Sequence, residues 1–474
     1  MSDVTKPIVL DETLQAFKEL FGEKMDNQAV ILASIGSTQG GLAFRNFADI
    51  KTLCRLGLAD KVFHVCDQLE CAKETAINAT VGNSQGEAGI TAAEVNEQTF
   101  IHAIGTTGNA DYEFTWDGAV WHLDGTPVEL STYGITITGT PALGDEIVVH
   151  ETATSLIWDV IGVTKFSITL QLHDSYASLQ FDSAEAFYYA ENGLTAGTYH
   201  FTIASTYDAT YNTYKDTGYE FTLTQDVPAG GQLTFPWGSN VQASTIKVNS
   251  FASATSTSPI EQVAVSSGTG GTNLGELTTA GDPTNNLNSI QRVRYGSNNY
   301  ANSALRQWLN SDKAKGTFWV PKTPFDRPPS WNATSNGWMY GLDDDFVAAL
   351  SEVENVVALN TISDGGGSMM VKDKFWLLSR PEVFSGKENS INEGAAYPYY
   401  SENSDLTTAG TGADSNRIKY RNGTAQYWWL RSPLAGGANI VRLVYPDGSV
   451  NYYYAGIAYG VAPACRIGES EIAS

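Results

Sequence analysis

The sequence predicts an α+β fold in which strands dominate. Three observations lead there. Short β-prone segments divided by Asp-Gly, Gly-Thr-Pro and related turns recur over residues 99–152 and 197–251. Helical spacing of apolar residues is confined to a few short stretches, placed before and after those segments. The C-terminal stretch Tyr427–Ile467 reads as a hairpin around Tyr445-Pro446-Asp447-Gly448, where proline presets φ, aspartate bonds its own backbone and glycine accepts positive φ.

Taken in order, Asp11–Met25 predicts a short amphipathic helix, with Asp11 as its cap and Leu14, Phe17 and Phe21 on one face. So short a helix needs a partner surface, and residues 1–45 are expected to form an attachment or oligomerisation segment. Residues 46–98 are expected to be a helical and loop connector, its helix at Asn46–Leu58 carrying Ile50, Leu53 and Leu56. Residues 99–153 predict a small β-module, a candidate insertion, with strands at Tyr112–Trp116, Val120–Leu123, Ile135–Thr138 and Glu146–His150. Residues 154–274 predict a β-rich domain, part of which could belong to the C-terminal fold through Trp158-Asp159-Val160-Ile161-Gly162. Within it Ala252–Gly281, rich in Ser, Thr and Gly, is either a linker or loosely packed surface strand. From 275 to 474 the pattern is mixed. Helices are expected at Asn302–Leu309 and Asp343–Val353, a buried strand at Lys374–Leu378, and then WWLRSP (Trp428–Pro433) and the hairpin.

Composition excludes some function classes. The net charge of the 474 residues is −24, which opposes binding to nucleic acid or to an anionic membrane surface. No apolar run is long enough to span a bilayer, and the first residues lack a signal-peptide pattern. Cys54, Cys66, Cys71 and Cys465 fit neither a disulfide scaffold nor a zinc site, so synthesis in a reducing cytoplasm is expected. His64, His102, His122, His150, His173 and His200 all lie in the first 200 residues, so the C-terminal part has no histidine of its own for general-base or metal work. Gly82-Asn83-Ser84-Gln85-Gly86 matches a nucleophile elbow, but its flanks are not those of a hydrolase. Asp343, Asp344 and Asp345 suit a helix start better than a cation loop. Gly365-Gly366-Gly367 reads as a flexible loop, and Cys465 as a small buried residue. We therefore expect no catalytic residues, no metal and no cofactor.

The hairpin has its own chemistry. Between Leu434 and Ala464 the only charged residues are Arg442 and Asp447, and Lys, Glu, Gln, Met, Trp, Phe, Thr and His are missing. Tyr, Ser, Gly and Asn are what binding loops favour, since tyrosine offers large contact area at low entropic cost. Consecutive Tyr452, Tyr453 and Tyr454 must point to both faces of a strand, as at an edge that displays its aromatics. Packing of this edge on another subunit remains the alternative.

WWLRSP, the Asn/Tyr/small alternation and the closing GVAPACRI resemble the variable region of diversity-generating-retroelement proteins. Such regions end a C-type-lectin fold related to formylglycine-generating-enzyme-like domains. RYGSNNYANSALRQWLNSD and DKFWLLSR are similar to phrases of such domains in phage and prophage proteins. In that family adenine mutagenesis of a template copy turns Asn codons into a restricted residue set. The resemblance implies a variable region at 434–460, with ligand-binding positions Ile440, Leu443, Tyr445, Ser449, Tyr452, Tyr453, Tyr454, Gly456, Ile457 and Tyr459. It implies Trp428, Trp429 and Arg431 as fixed scaffold. It further implies a phage tail-fibre or virion tip protein, with no membrane insertion, that recognises a bacterial cell-surface receptor (protein or glycan), contacts other virion proteins and forms a homo-oligomer, with a trimer expected. The alternative is a structural tail protein whose lectin-like domain makes subunit contacts only.

Overall fold

The computed structural model describes residues 4–6, 42–44, 46–105, 109–204, 217–223, 225–234, 247–250, 253–257, 260–265, 273–274, 277–279, 282–284, 288–387, 390–401 and 415–469. The helix expected at Asp11–Met25, and most of the segment 1–45, lie outside the described residues.

Helix α1 (Phe47–Arg55) begins where the extended Asn46 accepts the Asp49 N–H at 3.0 Å. Next come β1 (Gln68–Asn83), β2 (Ile90–Val95), α2 (Glu97–Ile104), β3 (Ala110–Trp116) and β4 (Ile135–Gly139). They are followed by β5 (Asp145–Val163), β6 (Ser167–Leu172) and β7 (Ala177–Gln180). The C-terminal part supplies α3 (Ile290–Tyr295), α4 (Ala304–Leu309), α5 (Asp344–Ala349), β8 (Val353–Ala358), β9 (Ser368–Asp373), β10 (Phe375–Trp376) and α6 (Arg380–Phe384). It closes with β11 (Trp428–Pro433), β12 (Ile440–Val444), β13 (Val450–Tyr454), β14 (Ala458–Val461) and β15 (Ala464–Gly468). Strands dominate, and the chain is α+β. Within Ala252–Gly281 the described residues include the strands Ser253–Thr257 and Ile260–Val265.

A long antiparallel ribbon of β1 and β5 joins two cores. The pairing runs from Gln68↔Asp159 to Asn83↔Asp145, with a register shift between Glu74 and Ala76. Along β5 the buried side chains are first Asp145, Ile147, Val149 and Glu151, then Leu156, and from Trp158 to Ile161 every one. Alternate positions give way to a continuous run, so one face of the strand is covered at its first end and both faces at its second, beyond the bulge. The first end, with Phe100, Phe114 and Ile135, builds the small β-module's own core. The second enters the main core.

Two expected boundaries are corrected by this ribbon. The division at 153/154 falls inside the continuous strand β5, and the connector expected over 46–98 contains the long strand β1. The C-terminal fold also reaches far back along the chain. Strand β6 pairs with β15, β7 pairs with β14, and α1 packs on α5 and β15. Phe47 and Phe346 lie 4.7 Å apart, and Lys51 Nζ donates to the Ala348 carbonyl at 2.8 Å. Gly468, at φ +86°, is pressed so closely on Phe166 that an added Cβ would sit 2.1 Å from its carbonyl oxygen.

The main core is aromatic: Trp158, Trp338, Trp376, Trp428 and Trp429 are all fully buried. Each contributes roughly 1.5–3 kcal/mol or more by burial. Over this core lies a five-stranded sheet in the order β7, β14, β11, β12, β13, which leaves β13 at its edge.

Candidate functional site: an exposed tyrosine surface

The site is built on β11. Trp428 donates its indole N–H to the Arg417 carbonyl at 2.8 Å, and Trp429 to the Leu179 carbonyl at 2.9 Å. Arg431, 1 % exposed, forms a bidentate pair with Glu382 at 2.6 and 3.1 Å and donates to the carbonyls of Leu377 and Val356. Glu382 also completes the Ser379 capping box at the start of α6. One ion pair thus ties β11, α6 and β8 together. Burial opposes Arg431's charge, but Glu382 and Glu393 outweigh it and raise the guanidinium pKa.

Strands β12 and β13 form the hairpin expected around Tyr445–Gly448, in the register Ile440↔Tyr454 to Val444↔Val450. Tyr452, Tyr453 and Tyr454 are exposed by 45, 39 and 37 % on the edge strand. Their rings are ordered by one another and by what lies beneath. Tyr454 stacks on Tyr295 of α3, with centroids 4.0 Å apart and planes at 11°. Tyr453 meets Tyr459 edge-on at 5.3 Å, and Tyr459 in turn meets buried Trp429 at 5.2 Å. Tyr427 bridges Tyr445 and Tyr459 at 4.8 and 5.0 Å, and the Arg442 guanidinium lies 5.6 Å from the Tyr452 ring. The result is a continuous aromatic surface rooted in the core. Burial, followed by the neighbouring phenols, pushes the Tyr459 hydroxyl well up, and burial also raises Tyr445 and Tyr454. These three rings are uncharged at neutral pH.

The strand edge is partly closed to further pairing. The Tyr452 N–H is taken by the Asn451 side chain at 2.9 Å, and the Tyr454 carbonyl accepts from the Ile457 N–H at 3.1 Å. What the surface offers is chiefly side chain.

The expected binding positions divide by face. Tyr452, Tyr453 and Tyr454 are exposed, whereas Ile440, Tyr445, Ser449, Ile457 and Tyr459 are half-buried. Leu443 is a correction: it is fully buried in the main core beside Val441 and Val444. Gly456 is a second correction. It is buried, with its N–H donated to the Tyr295 carbonyl at 2.6 Å and its carbonyl accepting from Gln180 Nε2 at 2.6 Å.

Sequence reasoning missed Tyr295, Tyr427 and Arg442 as parts of the surface, and the clamp behind it. Asn298 Nδ2 donates to the Gly437 and Ile440 carbonyls at 2.5 and 3.0 Å. Asn360 donates to Asn298 at 2.8 Å and to Asp364 at 2.6 Å, and Arg292 pairs with Asp364 at 2.6 Å. The phrase RYGSNNY, which holds Tyr295 and Asn298, was the available signal. Gly365, Gly366 and Gly367 all take positive φ of 73–77°, so the expected flexible loop is a defined turn that only glycine enters freely.

Elsewhere the chemistry is mostly structural. Asp343 accepts the Phe346 N–H at 3.1 Å, the helix-start role expected of the aspartate run. Ser84 Oγ donates to the Gly144 carbonyl at the end of the ribbon, with no helix following. Cys71 and Cys465 are both buried, and desolvation pushes both thiols far above neutral pH. His173 corrects the expectation that the C-terminal fold lacks histidine, because it follows β6 and so belongs to that fold. Its Nδ1 lies 2.9 Å from both oxygens of Asp159, which is 3 % exposed on its side chain. Burial raises the Asp159 carboxyl, but Lys419, Gln68 and His173 outweigh it and hold it below the usual carboxylate range. An ionised carboxylate only accepts, so the His173 proton sits on Nδ1. The ring lines a cleft of about 440 Å³ shared with Asp174, Tyr176 and Arg421. Among the described residues no three His, Cys, Asp or Glu side chains group to hold a metal ion, and no helix is long and apolar enough to cross a membrane.

A family model described as a domain of unknown function (DUF6273) matches residues 279–468. Neither the curated proteins nor the solved structures contain a match. The matched residues include β8 to β15 but begin after α1, β1, β5, β6 and β7, which pack into the same core.

Proposed function

We propose that this chain is a binding protein whose C-terminal fold presents the tyrosine surface to a ligand. The observation that carries the reading is the edge strand β13, where three consecutive exposed tyrosines lie against Arg442, Tyr459 and Tyr295 in turn, and Tyr459 rests on the buried Trp429. Such a surface buries large amphipathic area on contact and loses little rotamer freedom in doing so. The finer reading is a diversity-generating-retroelement variable protein on a C-type-lectin-like scaffold, displayed at a phage tail fibre or virion tip and directed at a bacterial surface receptor. It is supported by the sequence phrases together with the closure of the fold by pairing of β6 with the last strand, β15. Display in many copies would add avidity to individually weak contacts.

The test is the variant Tyr452→Ser/Tyr453→Ser/Tyr454→Ser. A binding surface predicts an unchanged melting temperature within a few degrees, intact assembly and lost adsorption to the host cell. Broken assembly with a lowered melting temperature would instead favour the subunit-contact reading. Independently, a near-copy of the codons for residues 434–467, differing only at adenines and lying beside a reverse transcriptase gene, is the expected genomic context.

A further inference from the structure

The cleft beside His173 is walled by two segments that are bonded to each other. One is the stretch 173–176 after β6, and the other a short hairpin of Lys419–Arg421 paired with Thr424–Gln426. The Ser175 N–H donates to the Tyr420 carbonyl at 2.8 Å, and the Tyr420 N–H to Asp174 Oδ1 at 3.2 Å. The hairpin turns through Asn422 and Gly423, both at positive φ (51° and 74°), a tight turn whose twist suits the strands it joins. Lys419 roots it. At 1 % exposure, its Nζ donates to the Leu172 carbonyl at 2.9 Å and lies 3.6 Å from Asp159. Arg421, two residues on, shares that face of the strand and lines the cleft.

Four groups here keep unused hydrogen-bonding capacity. Among the described residues nothing pairs with the Arg421 guanidinium or the Asn422 amide, and no ion pair joins Arg421 to Asp174. His173 spends Nδ1 on Asp159, which leaves Nε2 for the cleft. Asp174 spends Oδ1 on the hairpin and keeps Oδ2. Asp159 is fully served by Gln68 at 2.9 Å, Tyr399 at 3.0 Å, His173 and Lys419. It fixes the imidazole and has nothing left to offer a ligand. Ile157, 42 % exposed, adds an apolar wall.

Each group asks for a complement. A guanidinium with no acid of its own matches a carboxylate through its planar fork. Nε2 of the neutral ring and Asp174 Oδ2 are acceptors and call for O–H donors. Ile157 offers contact to the C–H face of a ring. One cation balances one negative charge, whereas a phosphate dianion would set its second charge against Asp174. The net charge of −24 draws no anion from a distance, so these short contacts must do the holding.

From this geometry we propose that the cleft is a second binding site, for an acidic sugar: a hydroxylated ring carrying one carboxylate. The carboxylate sits on Arg421 and Asn422, and the hydroxyls on His173 Nε2 and Asp174 Oδ2. The volume of about 440 Å³ accommodates one such ring. The site uses none of the exposed tyrosines and does not depend on their reading as a binding surface.

Titration of the full-length protein with methyl β-D-glucuronoside, watched by the ring-proton resonances of its histidines, tests this. Saturable binding should move the His173 resonance, identified by its loss in His173→Gln, and leave the other histidines in place. Methyl β-D-glucoside has the hydroxyls without the acid, and N-acetylglycine the acid without the hydroxyls. Each should bind at least about tenfold more weakly. Arg421→Ala should reduce the glucuronoside affinity to that of the glucoside, with the melting temperature unchanged because the side chain has no partner to lose. The Tyr452→Ser/Tyr453→Ser/Tyr454→Ser variant should bind the glucuronoside as the native chain does, so the two sites stand or fall separately. Three results would overturn the proposal: no saturable binding at millimolar concentration, N-acetylglycine or glycerol phosphate bound as tightly as the glucuronoside, or native affinity in Arg421→Ala. If Arg421→Ala lowers the melting temperature, the His173 resonance and the order of the probes on the native chain decide.

Discussion

At the residue scale, Leu443 and Tyr452 lie on adjacent strands and answer to different physics. Leu443 fills the core, so Leu443→Ala should cost about 2–5 kcal/mol. Tyr452→Ser, at an exposed edge, should cost under about 1 kcal/mol. Arg431→Ala leaves Glu382 buried without its partner and should cost about 3–5 kcal/mol. Denaturant titration of the three variants checks the order. A Tyr452→Ser penalty equal to that of Leu443→Ala would mean the ring is not at a free surface. The faces were partly legible. In Ile440-Val441-Arg442-Leu443-Val444 the arginine must point outward, and strand alternation then sends Val441 and Leu443 inward. The resemblance marked positions along the chain without regard to that alternation, which is why Leu443 was counted with the exposed set. Tyr295 was not legible as part of the surface, because the ring it stacks on is far away in sequence.

At the element scale, the ribbon end is held by one carboxylate. Asp145, fully buried, accepts from Asn83 Nδ2 at 2.6 Å, from the Gly89 and Ile90 N–H groups at 3.1 and 3.0 Å, and from the Ala142 N–H at 2.9 Å. Burial raises its pKa, but these bonds outweigh burial and hold it below its ordinary 3.8. A depressed acid contributes stability above its unfolded value, and that contribution is lost as pH falls below about 4. Asp145→Ala should therefore destabilise the β-module by at least about 2 kcal/mol at pH 7, and by less at acid pH. Exchange protection of β2 and β4 measures this, and an equal loss at pH 7 and pH 3 would refute the role given to the charge. The strand that Asp145 secures was hidden for a simple reason. β1 reads QLECAKETAINATVGN, rich in Ala, Glu and Asn, which have poor intrinsic strand preference. Its conformation comes from pairing with β5 along its whole length.

At the scale of the whole molecule, the main core draws on both ends of the chain. A fragment of residues 279–474, the family match with its tail, lacks β6 beside β15, β7 beside β14 and α1 over α5. It should show no cooperative thermal transition and little amide dispersion, whereas the full chain should show both. A fragment that melts sharply would mean that the earlier elements decorate a core complete without them. The sequence by itself determined the strand-dominated α+β class, the helices α1, α4 and α5, the buried Trp428-Trp429-Leu430 base and the hairpin with its tyrosine run. Those features rest on local chemistry: helical spacing, turn residues, caps and unbroken apolar runs. Only the tertiary structure decided that β1 is a strand, that His173 meets Asp159, that Tyr295 supports Tyr454 and that Arg292 pairs with Asp364. Each of these joins residues far apart along the chain, and their meeting is set by which strands pair and in what register, which no local pattern encodes.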